Sequence, residues 1–404
     1  MQAKDTVARV LEPCKAFVHA ARLRVLDEAV TAAFNGKALS LTALALGLSR
    51  ETALRHRVKC IDRLLCNTHL DSERFEIYRT LAERWLTGLP QLLIVVDWSS
   101  LSADLQWHWL RASVAVEGRS VTLYEEVHPQ RLLANYQVHK KFVKRLAQLL
   151  PACGQAPIIM TDAGFRATWF KLVAKQGWHW VGRIRNREFV CPKKTGKWAP
   201  AKALYAGATA TAEDLGLYQS TRSNPADCRL VRYKAKPKGR KHRYASGKEQ
   251  RNSSTKKISA RQSEPWLLGS SPQLGHLSAQ AIVNIYAQRM SIEQSFRDTK
   301  NSALGMGLCQ SHTHGAVRLQ ALLLMAHIAQ FALRLIGLCA KAQQLPLQLT
   351  STNRTDRAEI SVMTLARRVI DHPTLLAALK NPWACIKELR RQATNAIELQ
   401  LGVA

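Results

Sequence analysis

Two short, strongly apolar runs, LLIVVD at 92–97 and PIIMTD at 157–162, each end in an aspartate. Runs of this length, rich in Val and Ile and closed by polar or turn-forming residues, read as strands buried on both faces. Between them WHWLRASVAVEG and RSVTLYEEV form two strand-like pieces parted by a glycine-containing turn. A helical stretch follows from about Tyr136 to Leu150. After the second aspartate come the helical FRATWFKLVAKQG and the strand-like WHWVGRI. Three strands, a helix, a strand, a helix and a strand predict an α/β domain whose mixed sheet carries helices on its faces.

The flanks have a different texture. Residues 1–88 are rich in Ala, Leu and Arg with apolar positions at helical spacing, and predict a helical domain. Inside it, LSLTALALGLSRETALRHRVKCIDRLL holds two amphipathic segments broken near Gly47 to Ser49. Arg50, Arg55, Arg57, Lys59 and Arg63 surround the second. This fits a helix-turn-helix or an ordinary helical hairpin with a solvated basic face, and the residues alone do not separate the two. From about Asn186 to Pro265 the pattern weakens into short strand-like pieces around Cys191, Leu217 and LVRYK. Ten Lys or Arg and one acid, Glu249, crowd between Lys234 and Lys257, as in a loop suited to phosphate contact. EPWLLGSS reads as a returning strand, and a helix with a Ser278 cap is predicted through LSAQAIVNIYAQRMSIEQSFRDTKN. Residues 301–404 read as mainly helical, and Leu319 to Leu338, interrupted by Gln320, His327, Gln330 and Arg334, as a buried helix rather than a membrane span. The expected division is 1–88 helical, 89–187 the first part of an RNase-H-like core, 188–270 a β-rich insertion with a basic loop, 271–305 a core helix, and 306–404 a helical region.

Charge narrows the function. Lys and Arg outnumber Asp and Glu by 59 to 29, a formal net charge of +30 over 404 residues, and the natural partner of such a surface is a polyanion. Nine scattered cysteines with no CxxC pair argue against a disulfide framework or a zinc finger. The N-terminus, MQAKDTVARVLEP, has no apolar run of the signal-peptide type, so a cytoplasmic, nucleoid-associated protein is expected, with no membrane partner.

Asp97 and Asp162 stand at the polar ends of their strands, where open sheets present chemistry. Either alone would serve equally as a turn cap; two in one predicted sheet point to a site. Tyr286, Arg289, Glu293 and Lys300 supply the third element, since at about 100° per residue they fall within an arc of roughly 60° on one helical face. A carboxylate among a phenol and two cations suits a phosphodiester, the acid binding metal and the others holding phosphate oxygens; a surface salt-bridge row would look similar. Hard divalent cations prefer oxygen ligands, so Asp97, Asp162 and Glu293 are expected to hold Mg²⁺, two ions in all, with Mn²⁺ as an alternative. Asp97 would bridge both ions and the other two acids would hold one each.

These residues resemble the bacterial insertion-sequence transposases of the insertion-sequence-four family, which use three acidic (DDE) residues. The resemblance rests on VDWSS with Asp97, LRASVAVEGRSVTLYEE, TDAGF with Asp162, and the spacing Tyr-x2-Arg-x3-Glu-x6-Lys in YAQRMSIEQSFRDTK. It implies an RNase-H-like core interrupted by a mostly β insertion. The implied reaction is cut-and-paste: a nick at the transposon end, a DNA hairpin, its reopening, and joining to target DNA. Tyr286, Arg289 and Lys300 would grip phosphates near the scissile bond. Trp266, at the start of EPWLL, matches the family's place for a tryptophan that stacks on a flipped base, although a core aromatic would fit there too. The implied partners are transposon-end DNA and target DNA, bound by a DNA-assembled homodimer. Two other functions remain open: an RNase-H-like nuclease or resolvase that never joins DNA, and a non-catalytic DNA-binding regulator.

Overall fold

The computed structural model describes residues 3–36, 38–102, 104–185, 188–236, 264–302, 305–345, 349 and 360–401. The chain forms two compact units, Met1–Gln155 with Met290–Ala396, and Ala156–Arg289 with Ile397–Ala404. The cation-rich stretch between Lys234 and Lys257 falls, from 237 onward, outside the described residues.

The first unit opens with helices α1 (Ala3–Leu11), α2 (Ala20–Asn35), α3 (Leu41–Leu46), α4 (Leu54–Leu65) and α5 (Thr68–Leu86), which bears out the helical reading of 1–88. Seven residues, 47–53, join α3 to α4, more than the three or four of a typical helix-turn-helix. Arg55, Lys59 and Arg63 recur every four residues on the exposed face of α4, whereas Arg50 is tied to Glu28 at 2.6 Å.

Strands β1 (Leu93–Ser100), β2 (Trp107–Val116) and β3 (Arg119–Pro129) then form an antiparallel meander with β2 in the middle. The β2–β3 turn is the expected one: Gly118 adopts φ +65°, a conformation that only a residue without Cβ reaches without strain. Helix α6 (Tyr136–Leu149) lies on one face of the meander, where Phe142 meets Tyr124 and Arg145 meets Glu126 at 2.6 Å.

The second unit carries a mixed sheet. Strand β4 (Ile158–Thr161) runs parallel to β5 (His179–Ile184), the two being connected through α7 (Ala167–Lys175). Phe170 of α7 stacks on Trp180 at 4.0 Å, and Gly182 is what permits this, because a Cβ there would meet the Phe170 ring at 2.6 Å. The sheet continues antiparallel from β5 through β10 (Trp266–Ser270), β9 (Ala226–Tyr233), β8 (Glu213–Ser220) and β6 (Phe189–Pro192) to the two-residue β7 (Ala199–Pro200). These strands are the expected β insertion.

One expectation fails. The helix predicted through 278–301 is two helices, α8 (Ala279–Ala287), capped by Ser278 as expected, and α9 (Met290–Lys300). The backbone tightens to three-residue hydrogen bonds, Gln288 N to Ile285 O and Arg289 N to Tyr286 O, and the α-helical ladder ends there. Neither Gly nor Pro marks the break.

The first unit resumes with α9, α10 (Ala316–Ala342), α11 (Val362–Ile370), α12 (Pro373–Ala378) and α13 (Ile386–Leu401), whose last residues fall to the second unit. Helix α10 is long and apolar enough to cross a membrane, yet 94% of its apolar window is buried inside the protein. Its polar residues are accommodated within the unit: Gln320 accepts from Arg74 at 2.9 Å, Gln330 donates to Thr299 at 3.1 Å, and His327 stacks on Tyr78 at 4.9 Å. It is the buried core helix the sequence predicts. All nine cysteines are free thiols. The chain is thus α/β, with the succession of strands and helices of an RNase-H-like mixed-sheet core, a mostly β insertion and helical flanks.

Candidate active site and DNA-contact residues

In the first unit, Asp97 sits in β1 and is nearly buried, at 9% exposure. Its neighbours settle which way it points. Successive strand side chains alternate between faces, and the Trp98 indole donates to His139 of α6 at 3.0 Å, so residue 98 faces α6. Ser99 faces the other way and accepts from Lys300 of α9 at 2.8 Å. Asp97 shares the face of Ser99, and its Oδ1 accepts from the Trp98 backbone N–H at 2.8 Å. The acid strand therefore presents Asp97 on the side against which α9 is fastened.

Helix α9 carries Glu293 in its first turn, where the positive end of the helix dipole favours a carboxylate. Glu293 and Lys300 are seven residues apart, an offset of only about 20° around the axis, so both belong to one face of α9. Glu293 is half-buried. Lys300 is held below the usual lysine range, first by burial and then by the charge of Arg111. Its ammonium also lies 5.7 Å from the Trp109 ring centroid. Among the described residues it has no carboxylate partner, which leaves its charge available for an anion.

A buried network underlies this face. Arg111, opposite Asp97 in the β1–β2 register, is fully buried and paired with Glu125 at 2.7 Å. Arg111 also donates to Thr299 of α9 at 3.3 Å and lies over Trp109, while Glu125 accepts from Tyr78 at 3.0 Å. Sequence reading singled out neither Ser99 nor Arg111. Period-two alternation around Asp97 was the one signal that could have found Ser99.

In the second unit, Asp162 follows β4 and is half-buried; its Oδ1 accepts from the Gly164 N–H at 2.7 Å. It does cap a turn. Among the described residues no donor is bonded to its Oδ2, so one carboxylate oxygen remains for a ligand. Tyr286, at the end of α8, is buried and packs edge-on against Trp266 at 5.0 Å; Trp266 in turn lies 5.9 Å from Tyr233. Trp266 is half-buried and begins β10, as predicted. The helix breaks at Gln288 and Arg289, so of the four positions only Glu293 and Lys300 lie on one continuous helix. Tyr286 belongs to α8, and Arg289 to the break.

The three acids offer only carboxylate oxygen, the donor chemistry of a hard divalent cation. Among the described residues no group of three or more His, Cys, Asp or Glu is gathered with metal-ligand spacing.

The family model for the transposase DDE domain matches residues 88–329. No curated protein matches the chain. Among solved structures, the chain is similar to the cryo-EM structure of the piggyBac transposase synaptic complex with hairpin DNA. The two are 11% identical with a TM-score of 0.39, over 98% of this chain and 81% of that one.

Proposed function

Because this chain belongs to the transposase DDE-domain family, we propose that it is a cut-and-paste DNA transposase that cleaves transposon ends and joins them to target DNA. Within that family, the residue motifs favour the insertion-sequence-four group and, inside it, the transposase of the tetracycline-resistance composite transposon. The observation that carries the proposal is the Lys300–Ser99 bond, which fastens the helix bearing Glu293 to the strand bearing Asp97.

Asp97, Asp162 and Glu293 are the proposed catalytic acids and the residues that would hold two Mg²⁺ ions, or Mn²⁺ in their place. Bound there, the metal would activate water or a 3′-hydroxyl and stabilise the departing oxygen. Lys300 and Arg289 neutralise phosphate oxygens near the scissile bond. Tyr286 supports Trp266, and Trp266 stacks on an extruded base at the distorted end, with a hairpin as the proposed intermediate. Residues 1–88 bind the end sequence through the basic face of α4. Residues 306–404 pair two ends in a DNA-assembled homodimer, in the nucleoid-containing bacterial cytoplasm.

The test is incubation of the purified protein with a labelled linear DNA carrying its element's end, with Mg²⁺ or with EDTA, resolved on a denaturing gel. Metal-dependent nicks that mature into hairpins and then into strand-transfer products are expected. Cleavage without strand transfer would replace the proposal with a nuclease, and binding without cleavage would replace it with a regulator.

A further inference from the structure

A cleft in the second unit, about 580 Å³, begins just after Asp162 in sequence, but its charged lining lies outside the family motifs. Four cations face it, Arg166, Arg183, Arg185 and Lys202, against two carboxylates, Glu188 and Glu264. The charges are arranged unevenly. Arg183 and Arg185, alternate residues at the end of β5, both donate through Nη2 to the same oxygen, Oε2 of Glu264, at 2.9 and 2.6 Å. Arg183 also donates to the Pro265 carbonyl at 3.2 Å. The Nε of each arginine is buried with no acceptor among the described residues. Lys202 is exposed, and Glu188 is engaged elsewhere, accepting from Thr221 at 2.9 Å with Arg166 at 3.7 Å.

A guanidinium is a fork of five donors suited to a bidentate anion. Two forks converging on one carboxylate oxygen leave most of that capacity unused, and buried donors left unpaired call for a ligand that pairs them. A phosphodiester has two non-bridging oxygens, one for each fork, and carries the negative charge that four cations against two acids lack. We propose that this cleft is a phosphate site for the DNA backbone and that Glu264 is its displaceable internal counter-ion. Without DNA the acid holds the two arginines in place; a phosphate exchanges for it and takes both forks. The proposal rests on the reading of this chain as a DNA-handling enzyme, and deepens it by adding a phosphate-binding element outside the three acids.

The test measures binding, in EDTA, of a fluorescent 30-base-pair duplex as a function of salt for the wild type, Glu264→Gln and Arg183→Gln/Arg185→Gln. Glu264→Gln is expected to bind several-fold more tightly, a change that misfolding cannot imitate. The double arginine variant is expected to bind at least about tenfold more weakly, and its log affinity should fall less steeply with log salt, by about one unit of slope for each phosphate it no longer neutralises. Inorganic phosphate, as the second probe, should raise the melting temperature of the wild type and not of the double variant. A wild type that binds duplex while both variants bind as it does overturns the phosphate site and leaves the DNA reading standing. A wild type that ignores duplex yet is stabilised by phosphate through the two arginines sinks the DNA reading and keeps the anion site, its ligand then being a free phosphate.

Discussion

Lys300 and Ser99 are 201 residues apart in sequence and 2.8 Å apart in space, the ammonium donating to the hydroxyl. A half-buried lysine with a hydroxyl partner and, among the described residues, no acid keeps its charge for a ligand. A charge-assisted hydrogen bond to phosphate contributes about 1.5–3 kcal/mol, and each 1.36 kcal/mol is about tenfold in rate. Lys300→Ala is therefore expected to slow hairpin formation by about tenfold to a hundredfold while end binding changes by no more than about threefold. The check is a gel time course beside an anisotropy titration. Equal losses in both would make Lys300 a general binding residue.

Asp97→Ala, Asp162→Ala and Glu293→Ala are each expected to lower cleavage by about a thousandfold or more, the scale on which a lost metal ligand removes several kcal/mol of transition-state stabilisation. End binding in EDTA should be unchanged or slightly tighter, since each change removes a negative charge near phosphate. A variant that still cleaves at near wild-type rate removes that residue from the metal set.

Arg111 and Glu125 make the most completely buried ion pair described, at 0% and 1% side-chain exposure. Removing one partner strands a charge in the core, a change that costs about 3–5 kcal/mol. Glu125→Ala is expected to lose that much in urea unfolding, with the Tyr78 hydroxyl also left without its acceptor. Arg111→Met/Glu125→Leu should recover much of the loss, because an apolar pair of similar volume leaves no buried charge. A cost below about 1 kcal/mol for the single variant would mean the pair is not needed for stability.

Two histidines set a pH dependence. Burial, and then Arg111, push His327 down to about 3; burial, and then His128, push His139 down to about 4. Both rings are neutral when folded, and His139 needs to be, since its Nε2 accepts from Trp98. Unfolded, each would titrate near 6.5, so below that pH the unfolded chain binds more protons than the folded one. Their stability contribution is thus complete above pH 6.5 and is lost progressively as the pH falls toward 4 and then 3. The urea midpoint should fall between pH 7 and pH 5, and His327→Phe should flatten the fall. Equal slopes for wild type and variant would contradict the assignment.

The strand framework was readable because each strand carries its own signal: apolar runs closed by Asp97 and Asp162, and a turn that needs Gly118. The break at Gln288 and Arg289 was not, because no Gly or Pro stands there and the local pattern continues smoothly across it. The reading of Tyr286 and Glu293 as parts of one continuous helix failed for that reason. Arg111 and Glu264 were invisible for another: their partners lie 14 to 81 residues away, and no local pattern announces a long-range ion pair.

Gly337 offers a stability test whose sign runs against local propensity. It lies inside α10, where Ala in place of Gly ordinarily stabilises a helix by about 1 kcal/mol. Here a Cβ would stand 2.1 Å from the carbonyl oxygen of Val362 and 2.7 Å from its Cγ1, at the start of α11. The two helices would have to part, and overpacking of this kind costs about 1–3 kcal/mol. Gly337→Ala is therefore expected to lower the melting temperature. Adding Val362→Ala should not restore it, because the closer clash is with backbone. Restoration by that second change would show that the side chain, and not the carbonyl, sets the approach of α10 to α11.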